Sequence, residues 1–80
     1  MEVSVGDIVF RGEQAGEVEA CIWHENTLYA LVNVLAGYST VTRHSRKWLP
    51  SGQRSGWPAH DLEQCAAWYT CEDGTLTTLR

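Results

Sequence analysis

The chain has 80 residues, with 10 acidic side chains against 6 basic ones for a formal net charge of −4, and 44% of its residues are hydrophobic. That length makes one domain, near the size at which a single core barely suffices and association helps, and the composition excludes a disordered chain. The charge excludes a whole-molecule field that draws in nucleic acid or anionic lipid, and no run nears the ~18 apolar residues of a membrane helix.

Val3 to Arg11 contains a Gly6-Asp7 bend followed by Ile8-Val9-Phe10, which predicts a first strand over 7–11. Glycines at 12 and 16 bound a loop leading into the densest apolar patterning of the chain. From Val18 the residues alternate with period two, Val18, Ala20 and Ile22 on one face against Glu17, Glu19 and Cys21 on the other. This is the signature of a half-buried strand. It places Trp23 on the acidic, exposed face, unless a helix or the C-terminal hairpin covers that face. His24 to Thr27 is polar enough for a turn. The strand then resumes over 28–36, with Ala30, Val32 and Val34 in one phase and Tyr29, Leu31 and Leu35 in the other. Apolar residues in both phases predict burial on both sides, by barrel closure, an appended element or a partner subunit.

After Gly37, Tyr38 to Thr42 reads as a fourth strand or one side of a long arm. Arg43 to Gly56, rich in Ser, Gly, Pro and positive charge, reads as a long mobile loop. Asp61 and Leu62 suit a single helical turn that plugs the end of a barrel. For the remainder two readings compete. Ala59, Leu62, Cys65, Ala66 and Tyr69 fall at helical spacing, with Pro58 at a first-turn position, which describes a helix over 58–71. Ala67-Trp68-Tyr69-Thr70 and Thr75 to Leu79 around Gly74 describe a hairpin, the reading preferred here.

Four anchors fall in a recognisable order: Gly6-Asp7-Ile8-Val9, Gly16-Glu17-Val18, Tyr29-Ala30-Leu31-Val32, and Trp57-Pro58 followed by Leu62-Glu63. Together they resemble a small Src-homology-3-like (SH3-like) barrel, with the nearest likeness to the plasmid-encoded type II dihydrofolate reductases, barrels that assemble as tetramers around one pore. The resemblance covers about residues 6–63. It implies that Arg54, Ser55, Gly56 and Trp57 stand where that family has the Val-Gln-Ile-Tyr segment that binds pterin and nicotinamide. It also places Arg11 nearest to the family's ligand-holding lysine. Only the aromatic and the cation are kept, so the resemblance argues for fold more than for activity.

Arg43, Arg46, Lys47 and Arg54 put four of the six basic residues into twelve positions, beside His44 and flanked by Trp48 and Trp57. Cations that pair with phosphate and indoles that stack on bases describe a single-strand nucleic-acid loop. The plainer reading is a solvated loop whose tryptophans fold back onto the barrel. The three cysteines, Cys21, Cys65 and Cys71, are odd in number and lie in apolar segments. They fit small buried hydrophobes in a reducing compartment better than a disulfide framework. With Met1-Glu2-Val3 carrying no secretion-signal features, the expected location is the cytoplasm. His60, Cys65 and Cys71 match no common zinc spacing, and no nucleophile-base pattern or phosphate-cradling glycine motif is present.

The sequence therefore predicts a mostly β, SH3-like barrel over 1–80 with a long basic loop and a C-terminal hairpin or helix extension. It reads as a non-catalytic, cofactor-free and metal-free binding module that forms homo-oligomers. An aromatic groove of Trp23, Tyr29 and Trp57 takes a peptide or another subunit, with Arg43, Arg46, Lys47 and Arg54 steering at its rim. Single-stranded nucleic acid on the 43–54 loop, with Trp48 stacking, and a ligand-binding pore or enzyme like the type II reductases are the alternatives.

Overall fold

The computed structural model describes residues 3–39 and 45–79. Among these residues seven strands form one antiparallel sheet: β1 (Ile8–Arg11), β2 (Gln14–His24), β3 (Thr27–Ser39), β4 (Ser45–Pro58), β5 (Glu63–Gln64), β6 (Ala67–Thr70) and β7 (Leu76–Leu79). Their order across the sheet is β5-β1-β2-β3-β4-β7-β6. A 3-10 turn over Ala59–Asp61 separates β4 from β5, and it delivers Leu62 into the core. The predicted helical turn and C-terminal hairpin are thus present, and the alternative helix over 58–71 is not. Ala67 and Tyr69 instead pair across a β ladder with Leu79 and Thr77.

The sheet is not a closed barrel. Its two outer strands, β5 and β6, are consecutive in the chain and linked only by Cys65 and Ala66, so the sheet curls until its ends meet covalently without a ladder between them. The molecule is elongated, 42 × 22 × 17 Å, and it holds two cores on opposite faces. Val9, Val18, Ala30, Val32, Trp57 and Leu62 form one, with Val3, Cys21 and Val34 packed against it. Ile8, Phe10, Ala15, Leu35, Trp48 and Leu76 form the other, with Cys65 alongside. Strand β1 feeds both, since neighbouring residues of a strand point to opposite faces.

Each core is centred on a tryptophan lying over a glycine. A Cβ on Gly16 would stand 3.1 Å from Trp57 Cζ3 and 2.9 Å from Val32 Cβ, and one on Gly37 would stand 2.1 Å from Trp48 Cζ3. Hydrogen in place of a side chain is what lets each indole reach the sheet. Trp48 Nε1 donates to Thr78 Oγ1 at 2.9 Å inside the second core, and its ring meets Phe10 at a tilt of 55°.

The segment predicted as a mobile loop over 43–56 is strand from Ser45 onward, paired with β3 along most of its length and with β7 over Ser45–Trp48. Its loop-like residues cluster at one irregularity. The register jumps from Asn33↔Arg54 to Leu35↔Pro50, and Gly52 there has φ +79°. Ser51, Gly52 and Gln53 therefore stand opposite Val34 alone, a multi-residue bulge inside a strand, with Ser51 Oγ donating to the carbonyl of Val34 at 2.6 Å. Arg43 and His44 lie outside the described residues.

Strands β2 and β3 join through a two-residue turn in which Glu25 (φ 49°) and Asn26 (φ 66°) both adopt left-handed backbone. That handedness matches the twist of the flanking strands. The three cysteines are free and only partly buried, and Cys21 donates its thiol hydrogen to the carbonyl of Val3.

Candidate functional site

The site follows from one irregularity in β2. The β2–β3 register shifts between Val18 and Ala20, leaving Glu19 as a bulge residue. A bulge flips the phase of every residue beyond it. Cys21, opposite fully buried Ala30, takes the inner face, while Ala20 opposite Leu31 and Ile22 opposite Tyr29 take the outer one. Ile22, expected on the buried face with Val18, is 45% exposed.

Beyond β3, Leu31 pairs with Gly56 and Tyr29 with Pro58 of β4. The outer face of β2, β3 and β4 thus carries Ala20, Ile22, Tyr29 and Leu31 around Gly56, where no side chain stands. Two shallow depressions meet there. One of about 350 Å³ is lined by Glu19, Ala20, Leu31, Arg54, Ser55 and Gly56. The other, of about 330 Å³, is lined by Ile22, His24, Tyr29, Leu31 and Gly56. Sharing Leu31 and Gly56, they make one apolar groove across the sheet.

This groove is one half of a longer face. Leu31, Asn33 and Leu35 point to the same side, and at the Leu35 end that side is covered by the second core, where Trp48 and Leu76 close over it. Asn33 lies between the covered and uncovered halves, with its side-chain oxygen buried and without a hydrogen-bond partner. The C-terminal hairpin covers one end of the face and leaves the other bare.

Glu19 and Arg54 mark the rim. Arg54 Nε donates to Glu19 Oε2 at 2.8 Å across the face, and this bond, with the carboxylate's charge, holds the guanidinium above its ordinary range. The opposed charges leave the rim neutral. At the far end the His24 ring stands edge-on to Tyr29, with centroids 6.3 Å apart.

The expected groove of Trp23, Tyr29 and Trp57 does not exist as one surface. Trp57 is 2% exposed, because its pairing with Ala30 turns it into the core. Tyr29 is on the outer face. Trp23 is exposed, at 73%, but the phase flip puts it on the opposite face, past the end of the core, in a hollow lined with Asn26, Thr27, Leu28, Ala59 and His60. Trp48, at 3% exposure, is also a core residue, so neither it nor Trp57 is available to stack on a base. Lys47 is half-buried on β4, opposite Thr77, and Arg46 stands on the same strand opposite Thr78. Arg54 is engaged by Glu19, and Arg11 by Asp61 at 3.9 Å. Of the positions matching the reductase tetrapeptide, Arg54 and Gly56 face the groove and Trp57 faces the core. Among the described residues no group of His, Cys, Asp and Glu could hold a metal ion, and no helix is long and apolar enough to cross a membrane.

Ala20, Ile22 and Leu31 are apolar groove residues that sequence reasoning did not single out, whereas Gly56 entered only through the family resemblance. The second apolar phase of β3 carried the signal for Leu31. Nothing in the pattern marked the bulge that turns Ile22 outward. Comparison of the chain with family models, with curated proteins and with solved structures returns no match.

Proposed function

We propose that the protein is a non-catalytic binding module of SH3-like architecture, working as a homo-oligomer whose subunits meet through the bare outer face of β2–β4. The order β5-β1-β2-β3-β4, with a 3-10 turn returning the chain to pair β5 with β1, supports the SH3-like reading. The observation that carries the interface is the groove itself: Ile22 and Leu31, 45% and 37% exposed, flank a glycine on the same face that the chain's own hairpin covers elsewhere. Apolar area left bare on one end of an otherwise covered face is the usual mark of an interface.

A second copy suits the face because Glu19 and Arg54 neutralise each other at its rim. Two copies of a chain with net charge −4 can meet there without bringing like charges together. The test is the solution mass of wild type and of Leu31→Arg. Wild type is expected as an oligomer at both moderate and high salt, and the variant as a folded monomer. A monomeric wild type, or an oligomer that survives the arginine, would remove this assignment.

A further inference from the structure

Among the described residues strand β6 is the end of the sheet, and it is exposed on both faces. All four residues, Ala67–Thr70, are exposed, with Trp68 at 41% and Tyr69 at 52%. The ladder to β7 fixes which way its backbone points. Cys71 donates to the carbonyl of Thr75 at 2.7 Å, so Ala67 and Tyr69, in phase with Cys71, direct their amide and carbonyl groups at β7. Trp68 and Thr70 direct theirs the other way, to the side on which the sheet ends. Trp68 shares the face of Thr78 and Leu76, beside the Trp48 core, and Tyr69 lies on the opposite face with Thr77. This edge carries none of the usual protections: no proline, lysine or bulge stands in Ala67–Thr70.

Charge decides what the edge accepts. The segment from Cys65 to Cys71 is uncharged, with Glu63 before it and Glu72 and Asp73 after it, so acid stands at both ends. Lys47 offsets part of this near Asp73. Antiparallel self-pairing centred on Trp68 would set Glu63 of one copy against Asp73 of the other, which disfavours a second copy. We infer that β6 is a strand-addition site for an extended segment of a partner protein, one with β-branched or apolar residues in its middle and lysine or arginine at both ends. Backbone hydrogen bonds to Trp68 and Thr70 hold it, Trp68 and Tyr69 cover it on the two faces, and the acids choose its ends. The site is separate from the β2–β4 face and does not depend on it.

The test uses the whole chain and a fluorescein-labelled synthetic peptide, Lys-Lys-Thr-Val-Thr-Val-Lys-Lys, followed by anisotropy. Its counterpart with Glu in place of every Lys is the control. The lysine-ended peptide is expected to bind at least about tenfold more tightly than the glutamate-ended one, a gap that narrows as salt rises. Thr70→Pro removes an outward amide without touching the β6–β7 ladder and is expected to weaken binding at least about tenfold, while Thr70→Ala, which keeps the amide, does not. An unchanged circular dichroism melt shows that Thr70→Pro keeps the fold. Failure of both peptides to bind, equal binding of the two, or indifference to Thr70→Pro in a folded variant would overturn the proposal. So would an oligomer mass that Thr70→Pro reduces, since a second copy would then be the occupant.

Discussion

The contact between Trp48 and Gly37 makes a sharp demand on the fold. In Gly37→Ala, the new Cβ would lie 2.1, 2.3 and 2.8 Å from Cζ3, Cε3 and Cη2 of the indole, against an optimum of about 3.5–4.0 Å for carbon pairs. The ring has to retreat by about 1.5 Å, but Phe10 and Leu76 stand around it and Thr78 holds its Nε1. Overpacking of this kind costs about 1–3 kcal/mol, and straining or losing a buried hydrogen bond adds about 1–3 kcal/mol. The expected destabilisation is therefore about 2–6 kcal/mol, a large part of the stability of a domain of this size. At about 4–8 °C per kcal/mol, the midpoint should fall by about 8–48 °C. Thermal unfolding by circular dichroism measures this, with Gly56→Ala as the control, because a Cβ there meets nothing closer than Leu31 Cδ2 at 3.6 Å. That control should melt within a few degrees of wild type. If Gly37→Ala melts with it, the indole does not lie on Gly37 and the second core is packed differently.

Other expectations follow from the same packing. Trp57→Ala should cost about 3–5 kcal/mol in denaturant unfolding, because the side chain is buried against Gly16 rather than lining a groove; a native-like stability would contradict that burial. Replacing Glu25-Asn26 by Asn-Gly puts better residues on a left-handed turn and should raise stability by about 1 kcal/mol, read from the melting midpoint. Asp73 accepts from the hydroxyl and the amide of Thr75 at 2.6 and 3.0 Å, and these bonds hold its carboxyl below the ordinary carboxylate range. Its contribution is therefore complete above the ordinary value of about 3.9 and is lost as pH falls below that through the folded-state value. Acid titrations of wild type and Asp73→Ala should differ in midpoint at neutral pH and converge toward the acid end; a constant gap would rule out the linkage.

Much of the fold was legible in the patterning of β3. Its two apolar phases separate into Ala30, Val32 and Val34 on one core and Leu35 on the other, and the expected appended element is the C-terminal strand pair. What was not legible came from features without a periodic signal. The Glu19 bulge shifts β2 by one residue, which reversed the reading of Ile22 and moved Trp23 to the other face while leaving it exposed. Strand β4 was hidden because Pro50, Ser51 and Gly52 read as loop, although only Ser51, Gly52 and Gln53 leave the ladder, in a single bulge between two buried tryptophans. Trp57 was read into a groove and Trp48 as a stacking residue, with folding back onto the barrel as the plainer reading; they are the two core centres, and the facing glycines at 37 and 16 make room for them.

In the proposed assembly the bare face of β2–β4 meets a second copy. Backbone amide chemical shifts of isotope-labelled protein, followed over a dilution series by nuclear magnetic resonance, test it most directly. Concentration-dependent shifts are expected at Ala20 to Ile22, Tyr29 to Leu31, and Ser55 and Gly56, with β6 unchanged. Shifts confined to Trp68 to Thr70, or none at any concentration, would contradict it.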